Sequence, residues 1–141
     1  MREILFRGKR IDGRGWANGF YISCGGSCIL DDDDMFFGAD GVEGMYSVDP
    51  ATVGQYTGLK DRNGVRIFEG DIISMQGCAG YVRFGTYASA YSSGDTHVGF
   101  FIEWIVDRML RIDLAFWTNQ REIEVIGNIH DNPELLEVQN D

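Results

Sequence analysis

The chain has 141 residues, 44% of them hydrophobic, enough for one globular domain or two small subdomains sharing a core and for little else. A formal charge of −10 and a pI near 4.5 argue against broad attraction to phosphate backbones, because the averaged field repels them. Nine Phe, six Tyr and three Trp stand beside 19 glycines and only two prolines, a balance that favours short strands and tight turns and is not that of a linker.

Residues 3–7 read as a strand, Asp12-Gly13 as a turn in which glycine tolerates φ > 0, and Trp16 to Ile22 as the returning strand. This opening hairpin is locally basic, with Arg2, Arg7, Lys9, Arg10 and Arg14 against only Glu3 and Asp12. The plain reading is a solvated strand face; the functional one is a basic arm that reaches acidic groups on a partner. The apolar run Ile4-Leu5-Phe6 is too short for an export signal, and no stretch is long and apolar enough to span a bilayer, so the expected location is the cytoplasm.

Residues 23–47 lose periodicity around Gly25-Gly26, the acid run Asp31 to Asp34, and Gly38, Gly41 and Gly44, and read as a long excursion with room for one further strand pair. Asp49 can then cap orphan N–H groups while Pro50 presets φ, giving a helical turn that ends near Gly54. Gln55 to Leu59 runs into Asp61-Arg62-Asn63-Gly64, and Val65 to Phe68 comes back out of it. Gly70-Asp71-Ile72-Ile73 and Gly80 to Phe84 bracket a turn centred on Gly77.

Residues 86–97 show no apolar period and read as a loop. Beyond them, Phe100, Ile102, Trp104 and Val106 share one strand face, and Leu110, Ile112, Leu114 and Phe116 another, with Asp107-Arg108 as the turn between. Ile123, Val125 and Ile129 supply a further strand. The chain closes on Asn132-Pro133-Glu134-Leu135-Leu136, where Asn132 is expected to cap a helical turn that Pro133 starts and the two leucines dock.

Three chemistries can be weighed against these residues. Cys24 and Cys28 are separated by three residues and Cys78, His97 and His130 could complete a zinc set, but structural zinc sites pair ligands in tight knuckles and here the second half is scattered. Packed thiols are the simpler reading: an odd cysteine count without an export signal points to free thiols. The run Asp31 to Asp34 places Phe36 and Phe37 where a calcium loop needs a ligand and a glycine, so it reads as a solvated acidic loop, with a looser divalent site as the alternative. Glu69 and Asp71 could share one strand face as paired carboxylates, yet no partner base or oxyanion donor is visible.

Arg7-Gly8-Lys9-Arg10 with Trp16 and Gly19, the run Val48 to Ile73, and the closing run Glu124 to Leu136 together resemble the YopX family of phage and prophage proteins. The resembling segments cover 2–22, 48–73 and 124–136, in order along the chain; 23–47 and 74–123 depart from the shared pattern. The resemblance implies a mainly β protein, in keeping with the antiparallel hairpins and short helical turns read along the chain. Its C-terminal part would be an SH3-type small barrel, and the protein would be encoded by a bacteriophage or an integrated prophage and would self-associate. It carries no activity, cofactor or catalytic residue with it. The expected division is 1–47, the opening hairpin and excursion, and 48–141, the barrel region.

Asp49, Pro50, Asn63, Gly64, Gly70, Asn132 and Pro133 are the expected turn and cap residues, and Arg7, Lys9, Arg10, Arg14, Phe101 and Trp117 the candidate partner surface. Two functional readings follow. The first is a non-enzymatic module that forms a homo-oligomer and binds a phage or host protein, since the aromatics exceed what one small core absorbs. The second is a nucleic-acid accessory protein using the basic segment and exposed aromatics, against which the net charge counts. Neither needs a metal or cofactor.

Overall fold

The computed structural model describes residues 4–23, 26–31, 36–38, 41–88, 96–105 and 114–137. The fold is mainly β and antiparallel, and the chain divides between Tyr56 and Thr57 into two compact units, a boundary further along than the 47/48 division read from sequence.

In the N-terminal unit β1 (Phe6–Lys9) pairs with β2 (Trp16–Ser23) in the register Phe6 opposite Gly19 to Lys9 opposite Trp16. Gly13 and Gly15 take positive φ in the turn, where Arg14 N–H donates to Asp12 Oδ1. β2 continues to β3 (Ser27–Asp31), and β3 to β6 (Met45–Ser47). The intervening segment holds a two-stranded ladder of β4 (Phe36–Gly38) and β5 (Gly41–Glu43). Among its described residues the excursion expected over 23–47 is thus largely strand, in pieces too short to show a period. β7 (Gly54–Lys60) starts beside β1, with Gln55 opposite Phe6.

The core of this unit is Ala17, Ile29 and Val48, ringed by Phe6, Tyr21, Tyr46 and Val53. Val48 sits directly over Gly8, so close that a Cβ built on Gly8 would lie 2.8 Å from it. Small residues therefore occupy the buried face of β1 and β2, Gly8 with Ala17 and Gly19. The larger Trp16, Phe20 and Ile22 stand on the opposite face.

In the C-terminal unit the rest of β7 pairs with β8 (Arg66–Phe68) across the Asp61–Gly64 turn, and Thr57 Oγ1 donates to the Ile67 carbonyl. A separate four-stranded sheet has the order β11-β10-β9-β12, with β9 (Asp71–Met75), β10 (Cys78–Ala88), β11 (Thr96–Trp104) and β12 (Glu124–Asn128). β9 and β10 are joined by Gln76-Gly77, both at positive φ, the two-residue turn whose twist matches flanking strands. Ile67, Ile73, Met75, Val82, Ile102, Trp104, Leu114, Trp117 and Ile123 form the core.

Three expectations change here. The described strands of this sheet make an open sheet, with β11 and β12 at its edges, and not the closed small barrel. Residues 114–116 begin a helix, α1 (Leu114–Asn119), not a strand; it buries Leu114 and Trp117 one turn apart, while the rest of the expected strand lies outside the described residues. Strands β10 and β11 also run into the segment read as a loop, pairing to Ala88 opposite Thr96.

Candidate interaction surfaces

Most of the expected turn residues sit in hydrogen-bonded turns, and within each unit some of these bonds reach a strand distant in sequence. Asp49 Oδ1 accepts from Ala51 N–H at 3.0 Å, and Pro50 opens a 3-10 turn, Pro50–Thr52. Thr52 Oγ1 donates to the Asp49 carbonyl and accepts from Lys9 N–H, so the cap also fastens β1. Gly64 has φ +80° and its N–H donates to the Asp61 carbonyl. Sequence reasoning gave no role to Asp61, the residue that opens this turn. Asp61 is only 6% exposed; its Oδ1 accepts from Asn63 and Val65 N–H and its Oδ2 from Val125 N–H, each at 2.9 Å. The Asp at the head of the turn was the available signal, because Asx side chains bond to backbone just downstream. Outside it, Arg62 pairs with Glu124 at 2.9 Å, an exposed bridge of small worth.

Gly70, at φ +91°, donates to the Val82 carbonyl and accepts from Ile129 N–H. Asp71 is 1% exposed and accepts from Phe68 N–H at 2.7 Å, while Glu69 lies in the turn before β9, so the two do not make the paired carboxylates of a cleft. Asn132 does not cap the 3-10 turn Pro133–Leu136. A bulge in β12 between Val125 and Gly127 brings its Oδ1 to 3.3 Å from Asn128 N, where it accepts that N–H. Leu135 stays exposed and Leu136 is half-buried, so the expected docking of both leucines is not seen.

The basic residues do not form one patch. Side chains alternate across a strand, placing Arg7 and Lys9 on the face of Trp16, where the Arg7 guanidinium lies 4.8 Å from the indole centroid. Arg10 is on the other face, 3.9 Å from the Tyr46 ring centroid and ion-paired with Asp12. The Arg14 amide, aided by the Arg10 guanidinium, holds the Asp12 carboxyl below its ordinary range.

Phe101 and Trp117 are not surface residues. Phe101, 3% exposed, lies 4.9 Å ring to ring from Tyr87, and Trp117, 8% exposed, packs edge-on to Trp104. The exposed apolar side chains lie elsewhere. The register aligns Phe20, Leu30 and Met45 across β2, β3 and β6 on the face away from the N-terminal core, with Phe20 and Met45 about half exposed. In the C-terminal unit Phe84 and Val98 are exposed on β10 and β11.

Cys28 and Cys78 are half-buried free thiols, Cys78 packed against the core, and among the described residues no three His, Cys, Asp or Glu side chains converge as metal ligands. Cys24 and the side chains of the Asp31 to Asp34 run lie outside the described residues.

The family model of the YopX protein matches residues 15–137. The crystal structure of protein EF1440 from Enterococcus faecalis is similar in fold, with a TM-score of 0.50 and 24% identity over 97% of this chain and 100% of that one. Among curated proteins, none matches the chain.

Proposed function

This chain belongs to the YopX family, and from that premise we propose that it is a phage or prophage accessory protein that acts without catalysis, as a self-associating module in the bacterial cytoplasm that binds a phage or host protein. The observation that supports the reading is the row Phe20-Leu30-Met45, large apolar side chains set across three paired strands on a sheet face opposite the unit's own core. Contiguous exposed apolar surface of this kind marks protein contact sites. The buried carboxylates support it too, since Asp61 and Asp71 both accept backbone N–H groups, as fold-holding residues do.

The nucleic-acid alternative loses support with the separation of Arg10 from Arg7 and Lys9, because a backbone-tracking groove needs its cations on one face. Capture of the tagged chain from phage-infected or prophage-bearing cells, with and without nuclease, tests both. A protein partner that survives nuclease and is lost with Phe20→Asp or Met45→Asp is the expected result. A partner that disappears on nuclease treatment would overturn the reading.

A further inference from the structure

Within the C-terminal unit, β11 is an outer strand of its sheet, and its nine residues present one edge to β10 alone among the described strands. The direction of its backbone groups follows from parity. Residues opposite each other in the β10–β11 ladder include Tyr81 with Glu103 and Val82 with Ile102. Ile105 N–H donates to the Ala79 carbonyl, and the Val82 carbonyl turns the other way to accept from Gly70. Odd-numbered residues of β11 therefore bond inward to β10, and the N–H and C=O groups of Thr96, Val98, Phe100, Ile102 and Trp104 point off the edge that no other described strand pairs.

These same even-numbered residues share a face that begins in the core and runs out of it. Ile102 and Trp104 are buried, Phe100 is half-buried and Val98 is 72% exposed, while across the ladder Phe84 is 54% exposed with its ring 5.0 Å from that of Phe100. Sheet edges are ordinarily protected by proline, lysine, a bulge or a covering element. Thr96–Trp104 contains no Pro, Lys or Arg, and its only formal charge is Glu103, so this edge carries little of the repulsion that a −10 chain presents to its own copy.

We propose that β11 is the edge through which this chain self-associates, two copies pairing β11 antiparallel about a two-fold axis at Phe100; the inference rests on the self-association read above. In that register the outward-pointing groups meet one another, Val98 lies opposite the partner's Ile102, and His97 lies opposite the partner's Glu103, setting an imidazole N–H donor against a carboxylate twice by symmetry. The exposed Val98 then gains a cross-strand apolar neighbour, and the two four-stranded sheets become one.

Residue-resolved amide exchange at several protein concentrations, together with light scattering during size exclusion, tests the proposal. The wild-type chain should be an oligomer at micromolar concentration, with Val98 and Phe100 amides slowing as concentration rises. His97 and Gly99, already bonded to β10, should be unaffected. Val98→Pro removes an outward N–H without touching an inward bond and should weaken association by about tenfold or more. An oligomer in which Val98 and Phe100 amides stay fast at every concentration would overturn the edge pairing and leave self-association standing. A mass of one chain at all concentrations would overturn self-association itself and the edge pairing with it.

Discussion

Asp61 is the residue whose loss should cost this fold most for the fewest atoms removed. Its carboxylate serves three backbone N–H groups, two in the turn at Asn63 and Val65 and one in β12 at Val125. A hydrogen bond to a charged group contributes about 1.5–3 kcal/mol, but the turn residues Asn63 and Val65 are exposed, so water compensates much of their loss. Val125 is half-buried and packs against the core, and its N–H has no such substitute. Asp61→Ala should therefore destabilise by about 3–4 kcal/mol. Asp61→Asn should cost less, about 2 kcal/mol, because one amide oxygen can still accept from the turn while the NH₂ group faces the Val125 donor. Urea unfolding of the C-terminal unit, followed by the emission of Trp104 and Trp117, measures both, and exchange of the Val125 amide localises the damage. Arg62→Ala, which breaks only the exposed bridge to Glu124, should cost under about 1 kcal/mol. If Asp61→Ala proves no worse than Arg62→Ala, the carboxylate is not what holds β12 to the turn.

How much of this was legible in the sequence depended on range. Local turn chemistry could be read, because Asp49-Pro50 and Asn63-Gly64 encode their geometry within a few residues. The bond from Asp61 to Val125 joins residues 64 apart, and no local pattern specifies it. Residues 114–117 misled for a different reason. Leu114 and Phe116 fit a strand period, Leu114 and Trp117 a helical one, and six residues are too few to separate the two. Phe101 reads as a surface residue because it alternates with the core residue Ile102, but Tyr87 packs against it from β10 and both faces of β11 are covered there. On β2 the burial preference inverts: Val48 presses onto Gly8, so the buried face holds Ala17 and Gly19 and the exposed one Phe20. Asn132 reads as a cap from its Pro133 neighbour, yet the β12 bulge claims its side chain first.

The other perturbations separate backbone strain, packing and charge. Gly64→Val should destabilise by about 1–2 kcal/mol through conformation alone, since φ is +80° and a Cβ there meets nothing within 4 Å; an unchanged urea midpoint would remove the turn as drawn. Gly8→Ala should cost about 1–3 kcal/mol by overpacking against Val48 and be partly rescued by Val48→Ala, which calorimetry of the double-mutant cycle would show as coupling well away from zero. Asp12, with its folded pKa depressed below 3.8, contributes stability that is present above that value and lost as pH falls through the folded pKa, so Asp12→Asn should flatten the acid limb of the stability profile below about pH 4. Trp117→Asp is a test of the core rather than of assembly. Trp117 is 8% exposed and edge-on to Trp104 with ring centroids 5.4 Å apart, so the substitution both empties a large volume and buries a carboxylate. A loss of about 3–5 kcal/mol or more is expected, with collapse of the near-ultraviolet dichroism. A folded Trp117→Asp protein that loses only its oligomeric mass would show instead that this indole faces a neighbouring copy, and would return the α1 surface to the interface.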